Sequence, residues 1–301
     1  MNIIGVDFVY LGVFDMETSK KYLRDFGLKE VDQGHQGADF LAEDGTGLLV
    51  RHWDDPTLPT AVCTGPNFRD TVWGVADQAT LDQIALELRK DRPATFGGDG
   101  WLRSHDDDGY PITFHVSERQ PIEVGPSLTN VPGHKPMRPA NTIADYSSRV
   151  RPLTLGHHVW YTLNMDKSEK FYVDRLGFRV TDRFTKTGSF LRSQGCSEHH
   201  NMYLIERPGT PLGLNHIAFH VRDQLELMRG GKQFTAMGYE TAWGPGRHIF
   251  GSNNFWYFKS PFGGNMEYDA DIDMVNDAWI PRETPISLQA GAYWLVDKFS
   301  V

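Results

Sequence analysis

Residues 155–181 read LGHHVWYTLNMDKSEKFYVDRLGFRVT, and residues 5–31, GVDFVYLGVFDMETSKKYLRDFGLKEV, resemble them at a constant offset of 150. The offset aligns Tyr22 with Tyr172, for example. An internal repeat of this kind indicates the architecture, because both copies must fold into the same unit. The chain is therefore predicted to contain two similar halves.

Each copy carries the signals of a strand followed by a helix. An apolar stretch of period two is followed by polar residues typical of a helix start, and then by Gly27 or Gly177 at the helix end. The pattern recurs more weakly over 72–90 and 214–237, and short stretches separated by Gly, Asp and Pro follow. We predict an α+β fold of four βαβββ modules paired into two similar domains, each a sheet curled around a cavity with helices outside.

Pro and Gly are concentrated between the two halves, over residues 119–150. This composition is typical of an extended linker. We predict an N-terminal two-module domain over 1–135 and a C-terminal two-module catalytic domain over 136–301. The second domain is expected to end in a wrapping tail of irregular chain with a short aromatic element.

The composition favours a small-molecule ligand. Of the 301 residues, 40% are hydrophobic and 23% are charged, and the formal net charge is -9. Nucleic acid and anionic membranes are disfavoured as partners, because phosphate binding relies on clustered Lys and Arg. The start of the chain lacks the features of a signal peptide, and no apolar run approaches the roughly 18 residues of a membrane helix. Cys63 and Cys196 have no metal-binding or redox spacing. We expect a cytoplasmic protein.

Three residues of the second half share a strand phase suited to metal binding. His157 and His216 occupy the same position of two Leu-x-His strands, and alternation directs His216 away from an apolar face suited to helix packing. Glu267 shares a strand face with Asn265 and Asp269. Two imidazoles and one carboxylate leave three coordination positions open, which suits Fe(II) oxygen chemistry. His157, His216 and Glu267 are therefore predicted to bind Fe(II), with Mn(II) possible.

The segment 246–268, GRHIFGSNNFWYFKSPFGGNMEY, resembles the C-terminal signature of type I extradiol dioxygenases of the vicinal oxygen chelate superfamily. In that signature a histidine, a tyrosine and a Pro-x-Gly turn precede the ligand glutamate. The resemblance covers nearly the whole chain. It implies that His200 is the acid–base residue, in preference to the adjacent His199, and that His248 and Tyr257 contact substrate oxygens. It also implies a homo-oligomer.

The same resemblance implies an aromatic diol and O2 as substrates, with ring opening in aromatic-compound degradation. Val159, Phe250 and Asn254 are predicted to contact the substrate. Biphenyl-cleaving members usually carry an Asn-Asp-His run just after the position of His248, and this chain does not. A substituted catechol or a trihydroxylated ring is therefore as plausible a substrate as a biphenyl diol.

Two other functions remain compatible with such a fold. A glyoxalase-like metal-dependent isomerase would use a similar scaffold with other ligands, but His200, His248 and Tyr257 argue against it. A metal-free protein that binds an aromatic compound would need no ligands, and the in-phase triad argues against it.

The first half lacks the corresponding histidines. Asp7 takes the place of His157 at the repeat offset, while Asp70 and Thr113 fall near the positions of the other two ligands. The N-terminal domain is therefore predicted to bind no metal. His158 and His220 are predicted to be structural or to support the ligands.

Overall fold

The computed structural model describes residues 1–34, 37–63 and 67–296. Within them, an eight-stranded sheet forms before residue 117 and a ten-stranded sheet after residue 153. The stretch 117–153 contains no strand or helix and is largely exposed, and the predicted domain boundary falls inside it. None of the described helices has the length and apolar character needed to cross a bilayer.

The first sheet contains two copies of the predicted strand–helix–three-strand order. The first copy comprises β1 (Ile3–Val13), α1 (Met16–Phe26), β2 (Lys29–Asp32), β3 (Ala38–Leu41) and β4 (Gly47–His52). The second copy comprises β5 (Asn67–Val75), α2 (Gln78–Leu88), β6 (Thr95–Phe96), β7 (Leu102–His105) and β8 (Pro111–Val116). The strand order is β2-β3-β4-β1-β5-β8-β7-β6, so the two modules join through antiparallel β1 and β5.

The second sheet repeats the arrangement. Its first module comprises β9 (Thr154–Thr162), α3 (Met165–Lys170) with a following π-helical turn (Phe171–Arg175), β10 (Arg179–Phe184), β11 (Gly188–Arg192) and β12 (Met202–Glu206). Its second comprises β13 (Gly213–His220), α4 (Gln224–Ala236), β14 (Thr241–Arg247), β15 (Asn254–Lys259) and β16 (Asn265–Ala270). The predicted α+β fold of four βαβββ modules is confirmed.

The C-terminal tail is more regular than its sequence indicates. It contains β17 (Arg282–Thr284), α5 (Leu288–Gly291) and β18 (Trp294–Leu295). β17 pairs with β10 at one edge of the second sheet, and β18 pairs with β14 at the other. The tail thus crosses from one edge of the sheet to the other.

The helix ends explain why the repeat is visible in the sequence. Asp15 accepts the Thr18 N–H at 2.9 Å at the start of α1, and Gly27 ends the helix with φ of 106°. At the offset position Gly177 has φ of 77°. A residue with a Cβ is disfavoured at such positive φ, so both glycines are required by the return of the chain to the sheet.

One continuous core joins the two halves. Phe26 of α1 stacks on Tyr268 of β16 with 4.1 Å between ring centroids, and Trp73 of β5 meets Phe178 edge-on at 5.0 Å. Such aromatic pairs contribute about 0.5–1.5 kcal/mol beyond their buried area. Through Phe26, part of the apolar surface of α1 packs against the opposite half.

The first-half counterparts of the ligands are engaged in polar contacts of their own. The Arg119 Nε atom donates to Asp7 at 2.7 Å, and His115 Nε2 lies 2.8 Å from the same carboxylate. The Thr113 hydroxyl donates to Asp70 at 2.6 Å. Within the described residues, the group with metal-ligand geometry lies in the second half.

Replacing Asp70 with asparagine should stabilise the protein at alkaline pH. Burial raises the pKa of Asp70 from 3.8 to about 7, against smaller opposite effects of Thr113 and Arg103. Because the folded state holds this proton more tightly, the associated stability is complete below the unfolded pKa and is lost as pH rises through about 7. A difference of about three pKa units corresponds to about 4 kcal/mol.

Urea unfolding at pH 5 and pH 8 tests this expectation. The free energy of unfolding of Asp70→Asn, relative to wild type, should rise by roughly 3 kcal/mol between the two pH values. An unchanged difference would show that the buried carboxyl does not titrate in this range.

Candidate active site

His157 of β9, His216 of β13 and Glu267 of β16 lie on three adjacent strands. Strand pairing sets Ala218 of β13 opposite both His157 and Glu267. The two imidazole Nε2 atoms are 3.3 Å apart, and each lies 3.3 Å from Oε2 of Glu267. The structure therefore brings the three predicted ligands into one triangle.

The triangle has dimensions suited to a divalent metal. Three mutually perpendicular bonds of roughly 2.1 Å place their donor atoms roughly 3.0 Å apart, close to the observed spacing. Glu267 is fully buried, and neither of its carboxylate oxygens has a hydrogen-bond partner among the described residues. Burial raises the pKa of Glu267. A cation between the three donors would compensate this buried carboxylate.

A neighbouring side chain orients His216. The Nδ1 atom of His216 lies 2.7 Å from the amide oxygen of Asn215, whose amide nitrogen donates to the Tyr161 hydroxyl at 2.6 Å. His216 therefore donates through Nδ1, which leaves the lone pair on Nε2, where a metal would bind. The Nδ1 atom of His157 lies 3.7 Å from Asp269.

Asp269 belongs to a buried polar group behind the triad. Its carboxylate is hydrogen-bonded to His220 Nδ1, and His220 Nε2 lies 3.0 Å from Glu198. Burial alone would lower the pKa of His220, but the two carboxylates outweigh it and raise that pKa well above its usual value. His220 is thus an imidazolium held between two acids, consistent with the predicted supporting role.

The three predicted catalytic residues surround a cavity of about 530 Å³ that opens onto the triad. The His200 ring lies 4.4 Å from that of His157, and the Tyr257 ring meets that of His216 edge-on at 4.9 Å. His248 Nε2 lies 3.1 Å from the Tyr257 hydroxyl. All three side chains therefore face the region where a metal-bound molecule would lie.

Burial sets the protonation of these groups. It lowers the pKa of His200 well below its usual value, lowers that of His248 to about 4, and raises that of Tyr257. His248 Nδ1 donates to the carbonyl of Gly291 in the tail at 2.9 Å. At neutral pH both imidazoles are uncharged and the phenol keeps its proton, so the histidines can accept protons and the tyrosine can donate one.

The far wall of the cavity is apolar. Its buried members from the strands and the loop after β14 are Val159, Phe184, Phe190, Tyr203, Ile205 and Phe250. Two of the three predicted substrate contacts, Val159 and Phe250, thus lie in the wall. Asn254, the third, does not, because it shares a face of β15 with core residues Trp256 and Phe258, opposite Tyr257. The position of His248 in the preceding loop does not indicate on which face of β15 Asn254 lies.

The sequence did not predict several residues around the site. His199 is fully buried, lies outside the cavity lining and contacts both His200 and Asp182. Ile286 and Gly291 bring the tail into the cavity wall. The tail lies outside the internal repeat, so the repeat offers no signal for it. The sequence signal for such a group is the charged Asp182 within a strand, because a buried carboxylate requires a hydrogen-bonding partner.

The chain resembles characterised proteins over most of its length. Residues 154–268 match the family model described as Glyoxalase/Bleomycin resistance protein/Dioxygenase superfamily. Over 279 residues the chain is 32% identical to metapyrocatechase 2 of Cupriavidus necator, a match that covers 91% of this chain and 84% of that protein. An iron-dependent extradiol dioxygenase of Rhodococcus jostii strain RHA1 is 31% identical over 152 residues, or 44% of this chain and 49% of that protein.

Solved structures share the same fold. The Mn(II)-bound glyoxalase from Novosphingobium aromaticivorans superposes with a TM-score of 0.78 at 21% sequence identity. The superposition covers 97% of this chain and 91% of that one. At this identity the likeness concerns the fold.

Proposed function

Because this chain belongs to the extradiol ring-cleavage dioxygenases of the glyoxalase/bleomycin resistance protein/dioxygenase superfamily, we propose that it opens a substituted aromatic diol with O2. One observation carries the proposal. His200, His248 and Tyr257 converge on the open side of the His157–His216–Glu267 triangle. Metal ligation alone does not require these three groups, whereas proton transfer to and from a bound diol does.

We propose Fe(II) as the metal, held by His157, His216 and Glu267, with Mn(II) as the second candidate. Two neutral imidazoles and one carboxylate suit either ion in oxygen chemistry. One relative is named iron-dependent, and one protein of the same fold is described as Mn(II)-bound. When bound, the metal supplies a common coordination sphere for diol and O2.

The protein's own groups handle the protons. In this proposal, Nε2 of neutral His200 accepts a proton from a diol hydroxyl, holds it, and returns it to an oxygen of the opening ring. Because neutral His248 donates through Nδ1 to Gly291, its Nε2 accepts the Tyr257 O–H at 3.1 Å and positions that hydroxyl. With a diol bound, Tyr257 would turn its single proton from His248 to the substrate oxygen on which negative charge develops.

The apolar wall points to the substrate class. A cavity of about 530 Å³ exceeds what a bare catechol fills, and Phe184, Phe190 and Phe250 form its far end. Apolar substituents gain roughly 25 cal/mol for each Å² that they bury. We therefore propose a catechol with an apolar alkyl or aryl substituent.

The experiment that tests this function is oxygen uptake by anaerobically purified, Fe(II)-loaded protein. A panel of catechol, alkylcatechols, 2,3-dihydroxybiphenyl and a trihydroxylated analogue should show stoichiometric O2 consumption and a yellow product with at least one member. Metal-loaded protein that consumes no O2 with any diol would exclude the proposal.

We also propose that the protein is a cytoplasmic homo-oligomer. Assembly is supported by the family resemblance, and the cellular location by the acidic composition. Light scattering after gel filtration should give a mass that is a multiple of 34.1 kDa, and a monomer mass would contradict assembly.

Replacing Phe250 with alanine should reduce selectivity for substituted diols. Phe250 lies 5.0 Å from the ring of Phe184 and is almost fully buried. Loss of this apolar surface should lower kcat/KM for an aryl-substituted catechol by roughly 10–100-fold, but that for catechol only a few-fold. Phe250→Leu, which keeps much of the surface, is the matched control. Equal losses for both substrates would show that Phe250 does not contact the substituent.

A further inference from the structure

A buried hydrogen-bond chain runs from the cavity to the C-terminal tail. His200 Nδ1 lies 3.0 Å from His199 Nδ1, and His199 Nε2 lies 2.7 Å from Asp182 Oδ2. The Arg282 backbone N–H donates to Asp182 Oδ1 at 2.7 Å, and the Arg282 guanidinium contacts both carboxylate oxygens. His199 and Asp182 are fully buried. Neither lines the cavity, so neither can touch a substrate there.

The direction of each hydrogen bond follows from the aspartate. Asp182 is a carboxylate and can only accept, so His199 must donate through Nε2. A neutral His199 then has an unprotonated Nδ1, which can only accept. His200 must therefore donate through Nδ1, and its lone pair is left on Nε2. This is the tautomer in which the cavity side of His200 can accept a proton.

Arg282 keeps Asp182 ionised. Parallel pairing of β17 with β10 sets Arg282 directly opposite Asp182. Burial alone would raise the pKa of Asp182, but hydrogen bonds from His199 and Arg282 outweigh it and lower that pKa. The Trp279 ring, 5.1 Å from the guanidinium carbon, flanks the same contact. The tail thus contributes to the orientation of His200 indirectly, through Asp182 and His199.

We propose that Asp182 and His199 are positioning residues that hold His200 with Nδ1 protonated and Nε2 free toward the cavity. The proposal rests on the proposed function, because the role of His200 is defined there. In it, His199 accepts the hydrogen bond from His200 Nδ1, and Asp182 fixes the tautomer of His199 by accepting from its Nε2. If the two residues only packed in the core, they would not determine which nitrogen of His200 carries the proton.

Two substitutions at position 199 separate the acceptor role from packing. Asparagine keeps an oxygen near the place of the imidazole Nδ1, whereas leucine has similar size and no acceptor. With Fe(II)-loaded protein and 2,3-dihydroxybiphenyl or catechol as the probe, His199→Asn should keep kcat within roughly fivefold of wild type. His199→Leu should lose roughly 100-fold in kcat with KM and bound iron unchanged. Equal kcat values for the two iron-loaded variants would overturn the proposal.

Asp182→Asn tests the anchor. Its amide cannot satisfy both Arg282 and His199 as an acceptor, so the donor order should break and kcat should fall roughly 100-fold at unchanged KM. Asp70→Asn, which removes a buried carboxylate from the other half, is the matched control and should keep wild-type kcat. Wild-type kcat in iron-loaded Asp182→Asn would overturn the proposal.

Nitrogen-15 NMR of histidine-labelled, Zn(II)-loaded protein reads the tautomers without turnover. His200 should carry its proton on Nδ1 and His199 on Nε2, and Asp182→Asn should change this pattern. A His200 protonated on Nε2 in wild type would refute the donor order. Should no diol support oxygen uptake by wild type, the proposed function fails, while the NMR result still decides the hydrogen-bond chain.

Discussion

Glu267→Gln should abolish stoichiometric metal binding and lower kcat/KM by roughly 10⁴-fold. The side chain is fully buried, and its oxygens have no hydrogen-bond partner among the described residues. A buried carboxylate without such partners is costly to fold, and a cation held with His157 and His216 would offset that cost. Glutamine has the same shape but no charge, so the triangle would lose its anionic ligand.

The same substitution should have the opposite effect on the metal-free protein. Removing the buried charge should leave the free energy of unfolding of the apo form unchanged or higher, because burial disfavours the ionised carboxylate more than its contacts with His157 and Tyr257 favour it. Chemical denaturation with and without Fe(II), together with metal analysis, measures both effects. Asp70→Asn is the control for loss of a buried carboxylate outside the triangle. Full iron occupancy in Glu267→Gln would contradict the assigned ligand set.

Much of the fold could be predicted from the sequence because the repeat is carried by backbone-determining residues. Gly27 and Gly177 both adopt positive φ at equivalent helix ends, and this requirement keeps them recognisable in the two copies. Strand phase likewise placed His157 and His216 on the cavity side. Packing between the halves could not be predicted in this way, since contacts such as Phe26 with Tyr268 join residues that no periodicity relates.

The residues of the candidate site likewise fall into two groups, those that strand periodicity predicts and those that depend on tertiary structure. Its ligands lie on regular strands, where alternation is informative. Asn254 begins β15 directly after an irregular loop, and it lies outside the cavity lining, contrary to the prediction that it contacts the substrate. In the tail, Arg282 belongs to β17, which pairs with β10, and Gly291 precedes β18, which pairs with β14. Both pairings depend on the finished sheet, so the sequence offers no local signal for them. The choice of His200 over His199 required the resemblance, whereas the structure separates them by exposure to the cavity.

His200→Gln should lower kcat by roughly 10²–10⁴-fold while bound iron remains stoichiometric. His200 lies 4.4 Å from the His157 ring but is not part of the donor triangle, so its removal leaves all three ligands in place. Glutamine can fill the space and form hydrogen bonds, but its amide cannot take up a proton at neutral pH. The loss should therefore fall on the proton-transfer step, and KM for the diol should change little.

Single-turnover measurements with Fe(II)-loaded His200→Gln separate this step from binding. Anaerobic diol binding, followed optically, should resemble that of wild type, while the subsequent reaction with O2 should be slow. His115→Gln, a buried histidine of the first half, is the matched control and should react at the wild-type rate. A variant that binds iron and diol normally and still turns over at the wild-type rate would remove His200 from the acid–base role and leave the adjacent His248, which faces the same cavity, as the group to examine.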